Sequence, residues 1–257
     1  MRGGHRRGFR RCRHGSERRR SAMQDRMALV LGASGSVGQA LVDELVRSRA
    51  FARIIAVVRR PPEPAWGAPV VPCLVPDMRP APLAQAVEQA AQAWHGEVTG
   101  FSVLGVGAGT ARMTIDEHRA VDVELNAAFA RGLRSSGKVR DLAFMSAIGA
   151  DATARTTGSG AAGMPRYARV KGEAEEAVMR EGPAIVSIFR PAMILGSRHT
   201  PALLAALLPL FAPLTPARFR SIRTSEIARA MVAVALQPPA QGAVYSYSEM
   251  MRLIARG

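Results

Sequence analysis

Short, almost wholly apolar runs alternate along this chain with longer stretches in which apolar residues return every three or four positions. MALVLGAS (27–34) is the first such run, and SVGQALVDELVRS (36–48) follows it. In the second piece Val37, Ala40, Leu41, Leu45 and Val46 share one helical face. The alternation continues: RIIAVVRR (53–60) predicts a strand, a proline-rich loop covers 61–69, and VVPCLVPD (70–77) predicts a third strand. A helix is predicted over 83–94, a strand over 100–109, a long helix over 115–136 and a strand over 140–150. A helix over 167–181, a strand with a long exit over 183–196, a helix over 224–236 and a last strand over 242–248 complete the series.

Strands that are apolar throughout, rather than at every second residue, are buried on both faces. That is the mark of a parallel sheet with helices on either side. Right-handed crossovers then favour the doubly wound order. The expectation is an α/β, doubly wound parallel sheet of the Rossmann type, one domain over 27–250, with 197–222 as a small C-terminal substrate cap. The longest apolar run, ALLAALLPLFAPL (202–214), is interrupted by Pro209 and Pro213. It is also shorter than the roughly 18–20 residues of a membrane span, so no membrane partner is expected.

The formal charge of +15 is unevenly placed. Residues 1–26 hold ten arginines against two acids, leaving +7 on the rest of the chain. This tail has too little apolar surface to fold by itself and is expected to be disordered. Three readings of it stay open: a basic arm for nucleic acid or anionic lipid, a solvated tail, or an over-long start with Met23 or Met27 the true beginning. Nucleic acid is not expected as a partner beyond that arm. The two cysteines, Cys12 and Cys73, form neither a disulfide framework nor a metal site. The tail also lacks the apolar centre of a secretory signal. A reducing, cytoplasmic setting is the default expectation.

GASGSVG (32–38) stands between a strand and a helix, the context a dinucleotide fingerprint requires. Gly32 permits a tight turn, Gly35 lets backbone N–H groups approach a pyrophosphate, and Gly38 lets the helix pack close to the sheet. Ser34, Ser36 and Val37 complete the loop, and the helix N-terminus favours phosphate. The spacing is G-x-x-G-x-x-G rather than G-x-G-x-x-G, and a glycine-rich turn of any α/β protein is the plain alternative. The second strand ends in Arg59 and Arg60, where an acid would favour NAD. Two guanidiniums suit a 2′-phosphate, so NADP(H) is favoured, with NAD(H) and two merely solvated arginines as the alternatives. Asp77 and Met78, ending the third strand, are placed toward the adenine edge. The glycines of Leu104-Gly105-Val106-Gly107 would let a cofactor lie close to the fourth.

The chain has two lysines against thirty-three arginines, and one of them, Lys171, stands four residues after Tyr167 in YARVK. That spacing places both side chains on one helical face. A compact ammonium can donate to ribose hydroxyls and moves a neighbouring phenol toward acid–base use, which a forked guanidinium does less well. The bland reading is a surface Tyr/Lys pair.

GASGSVG, FMSAIGAD and YARVK, in this order, resemble the short-chain dehydrogenase/reductase superfamily, and within it the atypical and extended branch. LGVG, VDVELN, KVRDLAFMSAIGAD, YARVKGEAEEAV and FRPAMILGSR are similar to the Tat-interacting oxidoreductase-like group, a resemblance that covers about residues 27–250. The resemblance implies Tyr167 as general acid/base and Lys171 as the holder of the nicotinamide ribose. It implies Asp122 at a helix kink, and Arg190, Pro191, Ala192 and Met193 near the nicotinamide amide. The family usually carries two hydroxyl residues at the end of the fifth strand, and here the pair is Ser146-Ala147. The second of the two is the family's catalytic partner, so Ala147 in that slot would leave the substrate-oxygen hydrogen bond missing. Ser146 would supply it if the strand end is twisted or bulged, and Thr156, Thr157 or Ser159 in the following loop are the other candidates.

The expected function is NADP-dependent hydride transfer to or from a small carbonyl or alcohol substrate. A non-catalytic NADPH-binding sensor is the alternative, motivated by Ala147. Epimerase or dehydratase chemistry is a variant, for which the region after 197 looks small. Arg198, His199, Arg218 and Arg220 are candidate anion contacts or surface charge. The helices over 115–136 and 167–181 are a candidate homodimer face.

Overall fold

The computed structural model describes residues 26–195, 216 and 219–256. The expected tail, save Arg26, and most of the expected cap, with Arg198, His199 and Arg218, lie outside the described residues. Arg26 itself opens the first strand, β1 (Arg26–Leu31), and its guanidinium pairs with Glu97 at 2.8 Å. The chain then runs through α1 (Ser36–Ser48), β2 (Arg53–Val58), β3 (Val70–Leu74), α2 (Pro80–Gln92) and β4 (Glu97–Ser102). A 3-10 turn (Gly107–Arg112), α3 (Ile115–Arg119), a π turn (Ala120–Leu125) and α4 (Asn126–Ser135) follow. Next come β5 (Val139–Met145), α5 (Pro165–Glu181), β6 (Ile185–Phe189) and the short strands β7 (Ile194–Leu195) and β8 (Ile222–Arg223). The chain ends with α6 (Thr224–Leu236), β9 (Ala243–Tyr245) and α7 (Tyr247–Arg256).

Seven strands form one sheet in the order β3-β2-β1-β4-β5-β6-β9, every neighbouring pair parallel. This is the doubly wound α/β sheet expected from the apolar runs. β1 and its neighbours bury nearly every residue because both faces are covered. On one face Val30, Phe101, Ala143 and Phe189 pack against α1, α6 and α7. On the other, Leu29, Leu142, Phe144 and Ile188 pack against α2, α4 and α5. The strand order reverses between β1 and β4, so the crevice at their C-terminal ends is where a doubly wound sheet receives a ligand.

Several element boundaries differ from expectation. The strand expected over 100–109 spans Glu97–Ser102 and its glycines enter the 3-10 turn, and the strands expected over 70–77 and 140–150 end at Leu74 and Met145. Three further differences have identifiable reasons. The helix expected over 115–136 is interrupted by the π turn at 120–125. The strand expected over 242–248 stops at Tyr245, because Ser246 and Glu249 form a cap in which the Ser246 N–H donates to the Glu249 carboxylate at 3.0 Å. That Ser-x-x-Glu signal starts α7. The helix expected from 83 begins at Pro80, whose fixed φ suits the first helical position.

Candidate functional site

The glycine loop leaves β1 and turns at once into α1. Gly32 has φ +86°, and a Cβ there would lie 2.7 Å from the Leu104 nitrogen. It therefore serves both the turn and the close approach of the β4 exit. The Gly35 N–H closes the turn on the Gly32 carbonyl at 3.1 Å. Gly38 has a different neighbour from the one expected: a Cβ there would sit 2.0 Å from the Gly32 carbonyl oxygen, so the helix packs on the loop itself. Gly35 is the N-cap of α1, and neither a side-chain cap nor an acid occupies the first turn. Ser34 and Gly35 are exposed, Ser36 half-buried, and Val37 buried in the core below.

Arg59 and Arg60 follow the end of β2 and are both exposed. Among the described residues no carboxylate lies within ion-pair distance of either. Asp77 is exposed and pairs with Arg79 at 2.9 Å. Met78 adopts φ +42° and leans on the core. All these residues, with Leu104-Gly105-Val106 and Ser146, stand at the C-terminal edge of the parallel sheet.

The exit of β4 is gripped by the π turn. The Val106 N–H donates to Asp122 Oδ1 at 3.0 Å. The Asn126 amide donates to the Leu104 carbonyl at 3.4 Å and accepts from the Ser102 hydroxyl. Where the π turn ends the backbone tightens, and the Asn126 backbone N–H goes to the Val123 carbonyl three residues back. The Asp122 carbonyl is satisfied instead by the Asn126 side chain at 2.8 Å. Single π turns of this kind recur at functional sites. Here the turn delivers Asp122 to the next helix: Asp122 Oδ2 lies 2.7 Å from Lys171 Nζ, with both side chains buried.

Burial by itself would push the Asp122 carboxyl up; the Lys171 ammonium and the His118 imidazole beside it together outweigh that and hold the group well below the usual carboxylate range. Burial likewise pulls Lys171 down, and the Asp122 carboxylate, with Tyr167 and Glu175, outweighs that and holds the ammonium above the ordinary lysine value. Lys171 Nζ is also 5.7 Å from the centre of the Tyr167 ring. The other face of the site is His118, fully buried, its ring 5.7 Å from that of Tyr167 and inclined by 29°. His118 Nε2 lies 3.3 Å from Asp122 Oδ2. Two i,i+4 pairs, His118/Asp122 and Tyr167/Lys171, thus face each other across two helices. The helices are stitched beside them by Glu173, which takes two bonds of 2.7 Å from Arg119 and one of 2.7 Å from Arg169. Gly105 closes the cluster from the sheet side, since a Cβ there would come 3.2 Å from Lys171 Nζ.

Ser146 follows β5 and is buried, its hydroxyl without a hydrogen-bond partner among the described residues. The strand phase continues past Met145: the Ser146 N–H donates to Phe189 at 2.8 Å and the Ile148 N–H to Pro191 at 2.9 Å. Alternation therefore puts Ser146 in phase with Leu142 and Phe144, on the face packed by α5, and Ala147 in the opposite phase. Lys171 continues the stripe of α5 that carries Ala174 and Val178 into the same core. Arg190 is held by the buried Glu175, with an Nε–Oε1 bond of 2.8 Å, and Pro191-Ala192-Met193 leave β6 beyond it.

Sequence reasoning missed His118, Asn126 and Glu175. The spacing of His118 to Asp122 and of Asp122 to Asn126, four residues each, was the available signal.

No protein-family model matches the chain. It is 29% identical over 177 residues to protein FMP52, mitochondrial, of Eremothecium gossypii, across 67% of this chain and 68% of that protein. It is 27% identical over 177 residues to fmp52, mitochondrial, of Emericella nidulans, across 66% of this chain and 67% of that one. Among solved structures it is similar to a short chain dehydrogenase from Burkholderia cenocepacia in complex with NADP (18% identity, TM-score 0.55, 89% of this chain and 92% of that one). It is also similar to UDP-glucose 4-epimerase from Thermotoga maritima with UDP-glucose (14%, TM-score 0.60, 90% and 82%). MoeE5 in complex with UDP-glucose and NAD is likewise similar (17%, TM-score 0.60, 89% and 81%). At these identities the structural likeness establishes the fold. The expected cytoplasmic setting is overturned, because the curated relatives are named as mitochondrial proteins. A low cysteine count reports redox conditions and cannot tell one reducing compartment from another.

Proposed function

We propose that the chain is an oxidoreductase of the short-chain dehydrogenase/reductase type, dependent on a nicotinamide cofactor and favouring NADP(H), that acts on a small carbonyl or alcohol substrate. The observation that carries this reading is the Tyr167–Lys171–Asp122–His118 cluster set against Gly105, at the same sheet edge as the glycine loop. The residues fit the cofactor. Gly32 and Gly38 hold the loop tight against the β4 exit and α1, Gly35 puts no side chain over the helix N-terminus, the first turn of α1 carries no competing side-chain cap, and a side chain at Gly105 would press on Lys171.

In this reading the pyrophosphate lies at the N-terminus of α1 on the backbone N–H groups of Ser36 and Val37, with Ser34 beside them and Gly35, whose own N–H closes the turn on Gly32, leaving room for the approach. Arg59 and Arg60 favour the 2′-phosphate, Asp77 and Met78 border the adenine, and Leu104-Gly105-Val106 and Arg190-Pro191-Ala192-Met193 border the rest. The nicotinamide, when bound, supplies or accepts the hydride. Tyr167 gives or takes the proton at the substrate oxygen, and Ser146 donates a hydrogen bond to that oxygen. Lys171 donates to the ribose hydroxyls and keeps positive charge beside the phenol. Within the superfamily the reading points nearest to the Tat-interacting oxidoreductase-like group, and the curated relatives point to a mitochondrial setting.

The test is a titration of the full chain with NADPH and NADH, followed by nicotinamide fluorescence, and then a carbonyl-substrate screen. Binding together with turnover that Tyr167→Phe abolishes by orders of magnitude, at an affinity within a few-fold, supports the reading. Binding with no turnover on any carbonyl supports the sensor alternative, and binding of neither cofactor rejects both.

A further inference from the structure

His118 is the residue at this site that the proposed chemistry leaves without a task. It is completely buried, yet neither ring nitrogen has a partner in hydrogen-bond geometry. A buried polar group left unpaired is costly, so its retention calls for a reason. Its Nε2 lies 3.3 Å from Asp122 Oδ2, the same oxygen that Lys171 holds at 2.7 Å. Here, then, Lys171 is engaged by Asp122.

The Lys171 ammonium has three donors and one is committed to Asp122, yet moving the group toward a ribose hydroxyl draws it off Oδ2 and loosens the ion pair. A buried carboxylate deprived of its cation is penalised heavily. We propose that His118 is a positioning residue that takes over Asp122 Oδ2 through its Nε2–H when Lys171 turns to the cofactor. The inference rests on the cofactor-binding reading above and assigns a role to this chain's own residue. At 3.3 Å the distance is already within hydrogen-bond reach, and what is missing is alignment of the N–H with the oxygen, which a small shift of the ring supplies. The stack on Tyr167 holds the imidazole in the orientation from which that shift is made. No other described cation competes for the oxygen. Arg166 donates to the Met113 and Thr110 carbonyls, Arg119 and Arg169 are bound to Glu173, and Arg190 is bound to Glu175.

The experiment compares NADPH affinity of the full-length wild type with His118→Phe and His118→Gln, by nicotinamide fluorescence. Phenylalanine keeps the stack and removes the donor, and should weaken binding by about tenfold. Glutamine restores an N–H donor without the ring and should recover most of that loss. A packing role gives the opposite order, with phenylalanine near wild type and glutamine weak, and overturns the proposal. A second measurement needs no variant: in the ¹⁵N spectrum of the wild type, His118 should be the Nε2–H tautomer, and its Nε2 proton should move downfield on addition of NADPH. An Nδ1–H tautomer, or no change on saturation, overturns the proposal while leaving the cofactor reading intact. Absence of NADPH and NADH binding by the wild type defeats that reading first.

Discussion

Lys171 Nζ and Asp122 Oδ2 are 2.7 Å apart at a point where 6% and 1% of the two side chains remain exposed. The ion pair crosses from α5 to the π turn, so one contact joins the helix that carries the proposed acid/base to the segment that grips the β4 exit. Breaking it from one side leaves a buried charge alone. Lys171→Met should lower stability by about 3–5 kcal/mol, and Lys171→Met with Asp122→Asn, which keeps an acceptor for the Val106 N–H, should recover most of it. Urea midpoints of the three chains check this; equal losses in the single and double variants would show that the orphaned carboxylate is not the cause.

The loop and α1 are packed backbone to backbone. Gly38→Ala places a methyl group 2.0 Å from the Gly32 carbonyl and 2.7 Å from the Ala33 Cα, neither of which is a flexible side-chain end. The expected cost is about 1–3 kcal/mol of stability, together with loss of cofactor binding as the loop is pushed off its helix. Gly67→Ala, where nothing lies within 4 Å, is the control and should leave the melting temperature unchanged.

Arg59 and Arg60 project from the end of β2 with no described carboxylate to neutralise them. Replacing both by alanine should weaken NADPH binding by at least tenfold and NADH binding hardly at all, since only NADPH carries the 2′-phosphate. Parallel titrations of the two cofactors decide it, and equal losses would mean that the arginines act on the loop or on the general field.

Asp141 lies at the opposite, N-terminal end of β5 in a small cavity with Ser187, Val234, Pro238 and Pro239. Burial pushes its carboxyl up to about 6, against the bond from Thr99 that lowers it. The folded state therefore holds the proton more tightly than the unfolded state, and stability declines as pH rises from about 4 to about 6. Above that window the loss is at most about 2–3 kcal/mol. Asp141→Asn removes the buried charge and keeps a partner for Thr99. It should raise the melting temperature at pH 8 by several degrees and leave it unchanged near pH 4. A gain of the same size at both values would contradict the charge argument. Cofactor affinity should not change, because the residue stands at the far edge of the sheet.

Much of this protein is written in local patterns. Continuous apolar runs declare strands buried on both faces, and the apolar returns in 36–48 and 167–181 declare amphipathic helices; both follow from fixed backbone periods. The glycines at 32, 35 and 38, and the four-residue step from Tyr167 to Lys171, are equally local. The structure adds what no neighbouring residue encodes. The π turn exists where Asp122 meets a lysine 49 positions later in the chain, and periodicity alone predicts an unbroken helix there. His118 becomes part of the site only because α3 and α5 lie side by side. The strand phase that assigns Ser146, rather than Ala147, to the α5 face depends on the hydrogen bonds that β6 supplies. Even the lysine economy resolves in three dimensions: Lys138 Nζ donates to the carbonyls of Gln92 and Trp94 at 2.7 and 2.6 Å, and Lys171 fills the space beside Gly105. Both places take a compact ammonium. Periodicity and backbone geometry act within a few residues, whereas ion pairs, ring contacts and strand phase form between segments that only the folded sheet brings together.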